Sequence, residues 1–132
     1  MNDDKLVYIA SPYAGDVDAN VSFARAACRY AMGQGATPVA VHLLYPQILD
    51  DRVPSERENG IRLGLRVLEA CDELWLCGEK MSAGMRAEQE AAGQMGIPVR
   101  QVSRKEIEQG IHFAERESEQ GVSPPAWEMR QC

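Results

Sequence analysis

The chain has 132 residues, with 14 basic and 20 acidic side chains, a formal charge of −6 and 45% hydrophobic residues. That length suits one domain with a single core, and no apolar run approaches the roughly 20 residues a membrane helix needs. The acidic balance argues against a nucleic-acid polymer as partner, because phosphate backbones bind basic faces, but it is compatible with a single nucleotide held at a local anion site.

The opening Met1-Asn2-Asp3-Asp4-Lys5 is polar and acidic, unlike a secretory signal. Leu6-Val7-Tyr8-Ile9-Ala10, β-branched and aromatic, reads as a first strand ended by Ser11-Pro12. A helix is predicted over about 18–32, where Val21, Ala24, Cys28 and Ala31 recur at helical spacing. Asp16 or Asp18 can cap it, and Gly33 and Gly35 stop it. Thr37-Pro38-Val39-Ala40-Val41 reads as a second strand with proline at its entry, where no ladder donor is lost. A long loop follows over 42–53, with room for one helical turn. Ser55-Glu56-Arg57-Glu58 has the form of a capping box and predicts a helix to about Ala70. Residues 73–77 form a third strand, 83–95 a helix closed by Gly96, and 98–102 a fourth strand. Ser103-Arg104-Lys105-Glu106 is a second capping box opening a charged last helix, whose Glu106, Glu108, Glu115, Arg116, Glu117 and Glu119 read as solvent-exposed surface. The tail after Gly121, with Ser123-Pro124-Pro125 and Trp127, reads as irregular.

Strands alternating with helix-length crossovers imply an α/β fold: a doubly wound parallel sheet of four to five strands, covered on both faces. The expected division is a single domain over 1–120 and a tail over 121–132. The four cysteines, Cys28, Cys71, Cys77 and Cys132, form no CxxC pair and have no histidine at zinc-ligand spacing, so no metal site is expected. The first three lie in apolar settings and read as buried thiols of a reduced, cytoplasmic protein.

In a parallel sheet the carboxyl ends of the strands share one edge, and ligands bind there where the strand order reverses. Ser11-Pro12-Tyr13-Ala14-Gly15 follows the first strand, His42 the second, and residues 78–84 the third, so distant polar, aromatic and glycine residues meet. Ser82 is an N-cap candidate whose hydroxyl, with the Gly84 and Met85 backbone, can also hold an anion. Glu88 lies beside the small-residue stripe Gly84, Ala87, Ala91, Ala92, so it is either a solvated partner of the helix dipole or a catalytic carboxylate. Glu90 faces away. Tyr8 is core or site, His42 a structural or functional histidine, and Asp72 a turn-closing residue or a group touching chemistry. Trp75 reads as core.

Taken together, Tyr8-Ile9-Ala10-Ser11-Pro12-Tyr13-Ala14-Gly15, Asn20, His42-Leu43, Cys71-Asp72-Glu73-Leu74-Trp75-Leu76 and Ser82-Ala83-Gly84-Met85-Arg86-Ala87-Glu88 with Ala92 resemble the nucleoside 2-deoxyribosyltransferase superfamily. More narrowly they resemble its DUF4406-like branch, with similarity to 2′-deoxynucleoside 5′-phosphate N-hydrolases. The resemblance spans about residues 6–102 and implies a flavodoxin-like strand order. It also implies a glutamate, here Glu88, that attacks C1′ of the sugar and expels the base, with the glycosyl ester passing to another base or to water. Tyr8 falls where the family has a tyrosine that holds the sugar and orients the glutamate. Ser82 falls where the nucleotide hydrolases bind phosphate and the transferases carry an aspartate.

Two positions depart from the pattern. Gly64 stands where the nucleotide hydrolases have an aspartate serving the leaving base, and Pro12-Tyr13 stand where they have an arginine-bearing glycine turn. His42 and Asp72 are the substitutes available as general acid. The expected activity is cleavage or transfer at the N-glycosidic bond of a (deoxy)nucleoside 5′-monophosphate or nucleoside. Glu88 and Tyr8 are the expected catalytic pair, and Ser11, Pro12, Tyr13, Gly15, His42, Asp72, Ser82, Gly84 and Met85 the substrate contacts. This chemistry requires no metal or organic cofactor, and analogy with the superfamily implies a homo-oligomer. The alternatives are a nucleotide-binding module without turnover, and a hydrolase of ribosyl or NAD-type glycosidic bonds.

Overall fold

The strand β1 (Leu6–Ala10) lies at the centre of a four-stranded parallel sheet of order β2-β1-β3-β4. A computed structural model describes this arrangement for residues 4–110. The remaining elements in chain order are α1 (Val17–Gly33), β2 (Thr37–Val39), α2 (Pro54–Glu69), β3 (Glu73–Cys77), α3 (Ala83–Met95) and β4 (Val99–Val102). A further helix, α4, begins at Arg104, and its residues 104–110 are among those described. The remainder of that helix, the charged positions from Glu115 onward, Cys132 and the irregular tail lie outside the described residues.

Alternation along the strands sets what each face buries. Val7, Ile9, Trp75 and Cys77 pack with Phe23, Ala27, Tyr30 and Ala31 of α1 and with Ile107 of α4. Tyr8, Ala10, Leu74 and Leu76 point to the other face, against Leu68 of α2 and Met85 and Ala92 of α3. The sheet is therefore doubly wound, as the order of elements implies. In register, Tyr8 pairs with Val39 on one side and Leu74 on the other.

Several boundaries follow their predicted chemistry. Asp16 caps α1, accepting from the Ala19 N–H at 3.2 Å. Gly96 closes α3 at φ +73°, a left-handed conformation that glycine adopts without a Cβ penalty. The capping box at α4 forms in both directions: Ser103 Oγ accepts from the Glu106 N–H at 3.1 Å, and Glu106 Oε2 accepts from the Ser103 N–H at 2.9 Å.

The capping box at Ser55 does not form. α2 starts two residues earlier, with Pro54 in its first turn and Val53 as a cap that makes no side-chain bond. Proline's preset φ and missing N–H suit that position, because the donor would be orphaned anyway. Glu56 is thereby freed to accept from the Asp50 N–H at 2.8 Å, tying down the preceding loop. β2 is also shorter than predicted: Val41–Leu43 turns into a 3₁₀ helix, and a second one covers Tyr45–Gln47. Val41 buries itself against the Tyr8 face instead of extending an edge strand, and this turn delivers His42 to the carboxyl edge.

Candidate active site

The period of two in β1 aims Tyr8 at the face covered by α2 and α3. Tyr8 is 1% exposed, and its hydroxyl donates a hydrogen bond to Glu88 Oε2, in the second turn of α3. The other carboxylate oxygen, Oε1, is buried and has no hydrogen-bond partner among the described residues. Burial pushes the Glu88 carboxyl above its ordinary range, while the Tyr8 hydrogen bond and the charge of His42 pull it back. Burial and the adjacent Glu88 charge push the Tyr8 phenol upward, so it acts as a hydrogen-bond donor and stays protonated. The sequence left Glu88 open between solvated dipole partner and buried reactive group. Its half-buried position and its bond to a core tyrosine set it apart from a fully solvated carboxylate. Glu90, in contrast, is exposed.

α3 can approach the sheet this closely because its inner stripe is small, with Ala92 fully buried and Ala91 half-buried. The α2 side is kept open by Gly64. A Cβ added there would lie 3.3 Å from Tyr8 Oη and 3.7 Å from Val41 Cγ2. Gly64 therefore faces the tyrosine hydroxyl directly, beside the Tyr8–Glu88 pair.

The loop after β1 supplies the next layer. Ser11 is buried, and its carbonyl lies 3.1 Å from His42 Nδ1. A carbonyl only accepts, so Nδ1 carries the hydrogen and donates it. Pro12 and Tyr13 are half-buried, and the Tyr13 ring lies 5.7 Å from the His42 ring, tilted by 46°. Gly15 is exposed and turns the chain toward α1. Asn20 holds this loop in place, its Nδ2 donating to the Tyr13 carbonyl at 3.0 Å and to the Ala14 carbonyl at 2.9 Å. Helical periodicity alone gave Asn20 no role. Its signal was a polar amide on the first turn of a helix that follows a glycine turn.

The loop after β3 is fixed by Gly78, at φ +91°, where a Cβ would also meet the Phe23 ring at 3.1 Å. Both the backbone conformation and the contact require glycine there. Ser82 is the N-cap of α3, its Oγ accepting from the Met85 N–H at 3.2 Å. The Met85 N–H is engaged by this cap, and the Met85 side chain is wholly buried. The orphan donors left at this helix start are the N–H groups of Ala83 and Gly84.

Asp72 is not part of this constellation. It precedes β3 and so lies at the amino edge of the sheet, where its N–H donates to the Leu6 carbonyl at 2.7 Å and its Oδ2 accepts from the Leu6 N–H at 2.8 Å. Its turn-closing alternative is the one realised, as a clip aligning β1 with β3. Of the thiols, Cys71 and Cys77 are buried and Cys28 half-buried. Burial pushes Cys77 up to about 12 and Cys28 and Cys71 up to about 11, values that keep the sulfur protonated. Among the described residues no group of three or more His, Cys, Asp or Glu side chains is placed to hold a metal ion, and no helix is long and apolar enough to cross a membrane.

A family model described as a domain of unknown function, DUF7768, matches residues 5–102. No curated protein matches the sequence. Among solved structures, the chain is similar to a 2-deoxyribosyltransferase from the psychrotolerant bacterium Bacillus psychrosaccharolyticus, with 20% identity and a TM-score of 0.59, covering 74% of this chain and 72% of that one. It is also similar to a 2-desoxiribosyltransferase from Leishmania mexicana, with 18% identity and a TM-score of 0.51, covering 75% of this chain and 64% of that one. At such identities the likeness is one of fold, and this chain spans less than two thirds of the Leishmania enzyme.

Proposed function

The chain belongs to the DUF7768 family, and we propose that it cleaves or transfers at the N-glycosidic bond of a (deoxy)nucleoside or its 5′-monophosphate, with Glu88 as nucleophile. The observation that carries this reading is the Tyr8–Glu88 pair. One carboxylate oxygen is held by a core hydroxyl, and the other is buried with no protein partner among the described residues, at the sheet edge where α/β folds bind ligands.

As the base departs, C1′ acquires oxocarbenium character, which an adjacent carboxylate stabilises and then captures. Glu88 Oε1 is the free oxygen for that bond. Tyr8, donating to Oε2, keeps the carboxylate from rotating and lowers the cost of holding it ionised. Attack by water completes hydrolysis and attack by a second base completes transfer. Ser82 and the Ala83 and Gly84 N–H groups are the proposed seat of a 5′-phosphate at the start of α3. The two similar structures are of enzymes named as 2-deoxyribosyltransferases, which supports the glycosyl chemistry. The DUF4406-like affinity, the 5′-phosphorylated substrate, the hydrolytic outcome, the cytoplasmic setting and a homo-oligomeric assembly are finer parts of the same proposal.

Free-base release, followed by chromatography over deoxy- and ribonucleosides and their 5′-monophosphates, tests the reading with Glu88→Gln alongside. Release by the wild type and not by the variant supports it. A second reading, a nucleotide-binding module, is favoured by Gly64, which places no carboxyl beside the Tyr8 hydroxyl to serve a leaving base. Tight binding with no release from any member of the panel establishes that reading instead.

A further inference from the structure

We infer that His42 is the acid–base group of this site, its Nε2 delivering a proton to the departing base and then taking one from the incoming water. This rests on the glycosidic reading above, and it concerns a step for which Glu88 cannot serve, since a nucleophile bonded to C1′ has no proton to give.

Three observations carry it. The first is the wiring of the ring. Nδ1 donates to the Ser11 carbonyl at 3.1 Å, so the exchangeable position is Nε2. The Ser11 bond is kept in both protonation states, because the carbonyl needs only the Nδ1 hydrogen. The ring is thus held in one orientation while it gains and loses a proton. The second is placement. His42 is half-buried beside the Tyr13 ring, and the preceding Val41 packs in the cluster that holds Tyr8, the partner of Glu88.

The third is that the competing groups are occupied. Among the described acidic side chains that are at least partly buried, Asp50 pairs with Arg52, Glu56 accepts from the Asp50 N–H, and Glu73 accepts from Lys5 and Trp75. Glu88 alone among the described residues has a buried side-chain oxygen without a hydrogen-bond partner. Glu79, which follows β3, accepts from the Arg104 N–H in the opposite helix layer. Asp72 is clipped to Leu6 at the far edge, and Gly64 has no side chain.

The two steps balance. In the first, Glu88 Oε1 forms a bond to C1′, the C1′–N bond breaks with its electron pair going to the base, and the proton on His42 Nε2 moves to the base nitrogen. In the second, water oxygen bonds to C1′, the C1′–O bond to Glu88 breaks with its pair returning to the carboxylate, and the water proton moves to Nε2. The enzyme ends as it began, and the sum is nucleotide plus water to base plus sugar phosphate.

The test is a leaving-group comparison: 2′-deoxyguanosine 5′-monophosphate against its N7-methyl derivative, whose base leaves from an already cationic state and needs no proton. His42→Asn keeps an amide N–H where Nδ1–H donates to Ser11 and removes Nε2 together with the ring edge beside Tyr13. The expected result is a loss of about 10²- to 10⁴-fold in base release from the unmodified nucleotide. Release from the N7-methyl nucleotide, corrected for uncatalysed loss, is expected to stay within about tenfold of wild type, because its base needs no proton. Equal losses on both substrates assign His42 a merely structural or binding role and overturn the inference, as does full activity on the unmodified one. Melting curves show whether the variant folds, and His42→Gln provides the same comparison if it does not. A wild type that releases base from neither nucleotide refutes the glycosidic reading itself, and this inference with it. A wild type active on both, with an indifferent variant, refutes this inference alone.

Discussion

Replacing Tyr8 by Phe removes a single oxygen from a ring that is 1% exposed, leaving the core contacts of β1 in place. What is lost is the hydrogen bond to Glu88 Oε2, and the carboxylate then has no described protein partner on either oxygen. A hydrogen bond to an ionised group contributes ~1.5–3 kcal/mol, and one between neutral groups ~0.5–1.5 kcal/mol. The cost of Tyr8→Phe should therefore depend on whether Glu88 is charged. Its carboxyl is raised by burial above the ordinary 4.5 and pulled down by Tyr8 and His42. A carboxyl raised in the folded state gives its full contribution to stability below the unfolded value, and loses it as pH rises through the folded value. Without the Tyr8 hydroxyl the folded value climbs further, so the variant goes on losing stability at pH values where the wild type has levelled off. Urea or thermal melts from about pH 4 to about pH 8 should show a gap that widens with pH, approaching a Tm difference on the order of 10 °C at the upper end. The acidic limb of the base-release profile should move upward in the same variant. A gap of constant size across that range, or none, refutes the argument that Tyr8 supports a charged Glu88.

Glu88→Gln keeps an amide oxygen for Tyr8 to donate to and leaves nothing to ionise, so it should melt higher than wild type at about pH 8 and converge with it below 4.5, while abolishing base release. Ser82→Ala removes the cap on the Met85 N–H and should cost about 1 kcal/mol in chemical melts. On the proposed phosphate seat it should also raise KM for a 5′-monophosphate more than for the parent nucleoside, and an equal effect on both would remove Ser82 from the substrate. Gly93→Ala, where a Cβ meets nothing within 4 Å, should stabilise α3 by about 1 kcal/mol. At Gly64 the same propensity gain is opposed by about 1–3 kcal/mol of overpacking against Tyr8 Oη and Val41. Gly64→Ala should accordingly be neutral or destabilising, and it should slow base release by displacing the Tyr8 hydroxyl. A stabilised, fully active Gly64→Ala would show that the tyrosine does not need that space.

Much of this arrangement could be read from the sequence because its signals are local and periodic. The apolar runs 6–10 and 73–77, the Ser82 cap and the Gly96 stop placed β1, β3 and α3 at their observed boundaries. Glu88 was legible as lying beside the small-residue stripe, but its burial depends on the α3–sheet distance, which no local pattern encodes. Ser55 misled because a capping box and a proline-initiated helix share residues, and a two-residue shift decides between them. Asp72 misled through its nearness in sequence to β3: a residue before a parallel strand lies at the edge opposite the ligand. The hydrogen bond from His42 to Ser11 spans 31 positions and depends on β2 ending early, a tertiary outcome set by where Val41 finds apolar cover.

The central strand of this sheet is the first to occur in the chain. β1 takes one neighbour from α1's crossover and the other only after α2 has been traversed, and the Tyr8–Glu88 bond closes a span of 80 positions. Contacts of that separation form late, because the chain between them must be ordered before they gain anything. During refolding, helical signal should therefore return before base release does. On the proposed reading, base release reports the completed topology, and its recovery is a stricter measure of native structure than recovery of helix.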